Sequence, residues 1–158
     1  MTTPPPATPT QTTPPPATRT ARVLSYAEAR ELLEAALRRA EEIGVPASVS
    51  VLDATREIVA FGRQDRAPVL TGEVATAKAY TAASLRQPSG DLADATSPTG
   101  PFAGLAHGST RGLITFAGGY PLIIDGEIVG AVGASGGSID EDVAIATAAV
   151  ELFEGWQR

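Results

Sequence analysis

The chain reads as an α+β domain on three observations. Short β-branched runs come in pairs joined by tight turns, two Ser-x-x-Glu capping boxes open helices, and the strand-helix alternation of a parallel α/β fold is missing. At 158 residues and 43% hydrophobic, it is long enough for one ordinary core and too short for two domains of typical size. A single domain over residues 21–158 is expected, preceded by a disordered Pro/Thr-rich tail over residues 1–20. That tail repeats Thr-Thr-Pro-Pro-Pro-Ala-Thr at Thr2 to Thr8 and Thr12 to Thr18, and has no apolar surface to offset its ordering entropy.

Ser25-Tyr26-Ala27-Glu28 is the first capping box. Leu33, Ala36, Leu37 and Ala40 then recur at helical spacing until Gly44-Val45-Pro46 ends the helix. Ala47 to Leu52 and Glu57 to Phe61 read as strands joined around Asp53-Ala54-Thr55-Arg56. A second helix runs from about Thr71 to Leu85, where Ala75, Ala77, Ala79, Ala82 and Ala83 permit close packing on a sheet. Gln87 to Arg111 is irregular, with one short helical turn expected at Asp91 to Ala95, and a connection of that length is usually functional or disordered.

Gly112 to Phe116 is expected to open three final strands, the others being Leu122 to Ile124 and Ile128 to Val132 across an Asp125-Gly126 turn. Gly133-Ala134-Ser135-Gly136-Gly137 then reads as a glycine loop ahead of the second capping box, Ser138 to Glu141. Such a loop bares backbone amides beside a helix N-terminus, which suits an anionic or planar ligand. The last helix, about Asp140 to Phe153, carries Ile139, Val143, Ala146, Val150 and Phe153 on one face and Ile145, Ala149, Leu152 and Trp156 on another. It therefore needs two covers, the sheet and a second subunit.

Net charge is −6 and the pI about 4.7, so neither nucleic acid nor an anionic membrane surface is an expected partner. Cysteine is absent, which removes disulfides, thiolate metal sites and cysteine nucleophiles together. No apolar run is long enough to cross a membrane and no signal-peptide core is visible, so the expected location is cytoplasmic.

Lys78 stands on the line Val74, Lys78, Thr81, Leu85. Its ammonium starts from an apolar helix face and must reach solvent or an anion: a ligand carboxylate, Asp53 or a neighbouring chain. His107, the only histidine, lies on the long loop as a candidate iron ligand, general base or plain loop residue. Asp53 is a candidate general base or partner of Lys78, and capping of its own turn is the rival reading. Arg86 and Arg111 flank the long loop and suit carboxylates, while Tyr26, Tyr80 and Tyr120 are either oxygen ligands or packing residues. Gly133 to Gly137 also fits the hydrolase Gly-x-Ser-x-Gly elbow. A hydrolase of that fold needs its His after the Ser, and His107 comes before it.

Gly118-Gly119-Tyr120-Pro121, the hairpin that follows, Ser135-Gly136-Gly137, Asp53, Lys78 to Ala82 and the N-terminal helix together resemble the GlcG/HbpS-like haem-binding family, which includes the PduO C-terminal domain. The resemblance covers roughly residues 23–154. It implies a five-stranded antiparallel sheet flanked by helices, a homo-oligomer, and a small anionic ligand such as haem or a related tetrapyrrole. Residues assigned to that ligand are Lys78, His107, Arg111, Gly136 and Gly137, with His107 on the iron. Some haem-binding relatives supply a His from the first helix, and none occurs here between Ser25 and Gly44. The alternative is a cofactor-independent isomerase, hydratase or lyase acting on a small carbonyl or carboxylate compound through Lys78, Asp53 and His107.

Overall fold

A computed structural model describes residues 22–157; the expected tail lies outside them. In chain order the elements are α1 (Tyr26–Glu42), β1 (Ser48–Asp53), β2 (Ile58–Arg63), α2 (Leu70–Leu85), the short α3 (Ala93–Thr96), β3 (Gly119–Ile124), β4 (Glu127–Ser135) and α4 (Ile139–Gly155). Both capping boxes form, with Ser25 and Glu28 closing α1 and Ser138 and Glu141 closing α4. The Asp125-Gly126 turn takes positive φ at both residues, 49° and 77°, as a primed hairpin turn requires.

The sheet has four strands in the order β2-β1-β4-β3, all antiparallel, and not the five expected. The segment from Gly112 to Phe116 forms no strand. Its polar groups are taken by side chains instead of a sheet edge. The Ile114 amide donates to Thr81 Oγ1 at 2.9 Å, the Phe116 carbonyl accepts from Ser89 Oγ at 2.8 Å, and Thr115 pairs with Thr96 at 2.8 Å. Periodicity alone does not distinguish a short apolar run pinned in this way from a strand.

Strand alternation sends Val49, Val51, Val132 and Ala134 to one face of the sheet, where they join Leu32, Ala36, Ile145, Ala149 and Phe153 of α1 and α4 in one buried cluster. The opposite face presents Leu52 and Ala131 to Ala79, Ala82 and Ala83 of α2. The molecule is thus layered, with α1 and α4 on one side of the sheet and α2 on the other. Much of the second cover expected for α4 comes from α1 within the same chain. Ile139 and Trp156 remain exposed.

Gly133 and Ser135 belong to β4 and not to a loop, so the expected glycine loop shrinks to Gly136-Gly137. Gly133 has a packing reason. A Cβ there would run into the backbone carbonyl of Ala75 and the amide of Ala79, so α2 rests directly on the strand. Gly133→Ala is expected to cost about 1–3 kcal/mol, the usual range for overpacking a well-filled core. It should lower the urea midpoint with an unchanged slope; an unchanged midpoint would show that α2 can stand off the sheet freely.

Candidate functional site

Two groupings of polar chemistry arise on opposite sides of α2. The first is buried. Lys78 has no solvent exposure; its Nζ donates to Asp142 Oδ2 at 2.6 Å and to the Ala134 carbonyl at 3.0 Å, with the Phe116 ring centroid 4.8 Å away. Asp142 Oδ1 in turn accepts the amides of Gly136 and Gly137 at 2.8 and 3.2 Å. The anion at the glycine turn is therefore the protein's own carboxylate. Burial pushes the Lys78 ammonium below the usual lysine range, and the hydrogen bond and charge of Asp142 oppose that shift. Gly118, at φ 112°, leaves room for the contact, since a Cβ there would sit 2.8 Å from Nζ.

Lys78, Gly136 and Gly137 are thus brought together, and Asp53 and His107 are elsewhere. Asp53 Oδ1 accepts from the Thr55 amide at 2.7 Å and the Thr55 hydroxyl at 2.5 Å, which is the turn-capping role. His107 ends a single 3-10 turn, Leu105–His107, and is exposed. Asp142 is the residue that sequence reasoning missed. A signal was present, because Asp142, Ile145, Ala146, Ala149 and Phe153 share one buried line of α4, which the acid interrupts as Lys78 interrupts its own line.

The second grouping is a groove of about 680 Å3 between α2 and the edge strand β2. Ile58 and Phe61 pair with Leu52 and Ser50 of β1 and so face the α2 side, but α2 is seated further along the sheet and leaves them 53% and 44% exposed. Leu52, Ile58 and Phe61 make an apolar floor, and Val69, Ala77 and Tyr80 form the helical wall. Gly72 keeps that wall close, since a Cβ there would lie 3.1 Å from the Phe61 ring.

Arg56, Arg63 and Arg111 rim the groove, with Glu57 and Glu73. Arg111 Nη1 donates to the Arg56 carbonyl at 2.9 Å and its Nη2 to Glu57. Arg56 and Arg111 both place their guanidinium carbons 5.3 Å from the centroid of the Tyr80 ring. Arg56 Nη1 also donates to the Tyr80 hydroxyl at 3.4 Å. The phenol is held below the ordinary tyrosine range, first by the Ser109 hydroxyl beside it, against the opposing effect of burial, and then by the charge of Arg56 and Arg111. Of the candidate ligand residues named from the sequence, Arg111 and Tyr80 line this groove, and Lys78, His107, Gly136 and Gly137 do not.

The fold and the groove define a small layered domain with an apolar cleft rimmed by cations. Residues 24–151 match the family described as haem degrading protein HbpS-like, and the chain belongs to that family. The resemblance carried by Gly118 to Pro121, the hairpin and Ser135 to Gly137 is correct at that level. An uncharacterized 15.0 kDa protein from the dhaT-dhaS intergenic region of Citrobacter freundii is 35% identical over 130 residues, 82% of this chain and 92% of that protein. Protein ORFY of Klebsiella pneumoniae is similar in structure, with a TM-score of 0.84 and 30% identity over 87% of this chain and 94% of that one. PduOC, solved as a complex with haem, gives a TM-score of 0.78 and 34% identity over 82% of this chain and 94% of its own.

Because Lys78 is fully buried in its ion pair, its removal should be felt as stability. Lys78→Met strands the Asp142 carboxylate and is expected to cost about 3–5 kcal/mol, as breaking a buried pair does. Asp142→Asn should fall in the same direction. Chemical denaturation of both variants checks this, and a loss below about 1 kcal/mol in each would show that the pair behaves like a surface one.

Proposed function

We propose that this chain is a small-ligand-binding protein that holds haem or a related tetrapyrrole in the groove between β2 and α2. The observation that carries the reading is the pairing of an apolar floor with a guanidinium rim in one cleft, at a volume within the range of about 300–1,000 Å3 typical of small-molecule sites. A tetrapyrrole is a flat apolar ring with carboxylates on one edge, and it matches both halves. Leu52, Ile58 and Phe61 would cover the ring, and Arg56, Arg63 and Arg111 would take the propionates through charge-assisted hydrogen bonds. Haem, when bound, supplies an iron centre capable of redox and oxygen chemistry. The relative solved with haem supports the same reading.

The enzyme alternative needs Lys78, Asp53 and His107 around one cavity. Lys78 is closed in its ion pair, Asp53 is committed to its turn, and neither lines the groove. Among the described residues no helix is long and apolar enough to cross a membrane.

Titration with protoporphyrin IX and with haemin tests the reading, because the iron-free ring needs only the floor and the rim. Saturable binding of both is expected. Phe61→Asp should abolish it and Arg111→Ala weaken it about tenfold, the size of one hydrogen bond to a charged group. Absence of saturable binding, or binding indifferent to both substitutions in folded protein, would overturn the proposal.

A homo-oligomer is part of the same proposal, since Ile139 and Trp156 leave apolar surface on α4 uncovered. Sedimentation at micromolar concentration should show a species larger than the monomer, reduced by Trp156→Glu; a monomer would refute it.

A further inference from the structure

We infer that Tyr80, and not His107, is the side chain that meets the iron of a haem held in this groove. The inference rests on the binding reading above and asks a narrower question, namely which atom of this chain serves as the axial ligand. Residues lining the groove include no histidine, methionine or cysteine. The lining side chains with a hydroxyl or carboxylate oxygen are Glu57, Glu73, Thr76 and Tyr80. Glu57 stands out on the rim, its side chain 62% exposed, and the Thr76 hydroxyl donates to the Gly72 carbonyl at 2.9 Å. Glu73 and Tyr80 are left.

Tyr80 is the better prepared of the two. Two guanidinium groups lie at equal distance from its ring, and one of them donates to its oxygen. Positive charge at that range favours phenolate over phenol, and phenolate is the form that binds ferric iron, as in haem proteins with a tyrosine axial ligand. The phenol is held below its ordinary range, first by the Ser109 hydroxyl and then, to a lesser degree, by these two charges. On coordination the O–H bond breaks, the oxygen lone pair binds Fe(III) and the proton passes to solvent, with no change of oxidation state. Tyr80 also lies two residues from Lys78, about 200° around the helix, so the ion pair that locks the rotation of α2 turns the phenol toward the groove.

His107 has a different position. It is exposed at the end of a one-turn 3-10 segment, and it is Arg111, four residues on, that reaches the groove.

Haemin complexes of the wild-type chain and of Tyr80→Phe, Glu73→Gln, His107→Ala and Phe61→Asp should be compared by resonance Raman and absorption spectroscopy, with the affinity of each measured alongside. The wild-type complex should show enhanced phenolate ring modes. Tyr80→Phe should lose those modes and shift the Soret band while its haemin affinity stays within about tenfold of wild type, because the floor and the arginines remain. Glu73→Gln and His107→Ala should keep the wild-type spectrum. An unaltered spectrum in Tyr80→Phe overturns the assignment, and a spectrum lost in His107→Ala or Glu73→Gln transfers it to that residue while the groove reading stands. If Phe61→Asp leaves haemin affinity and spectrum unchanged, the groove reading fails and the Tyr80 assignment falls with it. Failure of the wild-type chain to bind haemin overturns both.

Discussion

The Lys78–Asp142 pair is the constraint on which the rest of the arrangement depends. It joins α2 on one face of the sheet to α4 on the other, around the end of β4 where the Gly136-Gly137 turn leaves the strand. Taking both charges out of water is costly and repays only when each is otherwise satisfied. Here the ammonium also has the Ala134 carbonyl and the Phe116 ring, and the carboxylate has two amides. Such a cluster fits one relative placement of the two helices and the turn. Its value therefore lies in fixing geometry more than in adding net stability, and that geometry includes the rotation of α2 that carries Tyr80.

The close seating of α2 has a second consequence. With glycine at position 133 and alanines along its inner face, the helix approaches β4 nearly backbone to backbone. A helix drawn so tightly over the middle of the sheet cannot also roof the edge strand. Ile58 and Phe61, which point to the same side, are left as an open apolar floor. An exposed apolar edge strand is ordinarily a liability that proteins blunt or cover. In this chain the small residues that tighten the core and the cleft beside it are two aspects of one packing choice.

These origins explain what was legible in the sequence. Helices with their own start signals were read to within a residue or two, because capping boxes act locally: Ser25 with Glu28 and Ser138 with Glu141 need nothing from the rest of the fold. The hairpin at Asp125-Gly126 was equally local. Gly112 to Phe116 was misread because its partners are side chains of Thr81, Ser89 and Thr96, up to 33 residues distant, which no periodicity reveals. Lys78 was recognised as anomalous on its apolar face, but its partner lies 64 residues along the chain. Two buried charges of opposite sign, each interrupting an apolar stripe, are natural partners, and matching stripes across helices would have found Asp142. The groove was hidden for another reason: Arg56, Tyr80 and Arg111 come from a turn, a helix and a loop, and only the tertiary fold brings them together.

Charge distribution sharpens what that groove can select. The chain as a whole is acidic, at −6, so its distant field repels polyanions and anionic surfaces. Three arginines nevertheless gather on one rim, against two glutamates. A field that is repulsive at long range and attractive only at contact admits a ligand small enough to enter the cleft and carrying its charge at one end. Arg111 adds a further condition, since it already holds Glu57. An incoming carboxylate must compete with that side chain, and weak surface pairs of this kind exchange readily. Apolar burial on Ile58 and Phe61 must therefore supply much of the affinity, with the guanidinium rim deciding orientation. This division favours a flat ring with its carboxylates on one edge over a small acid that has no surface to bury.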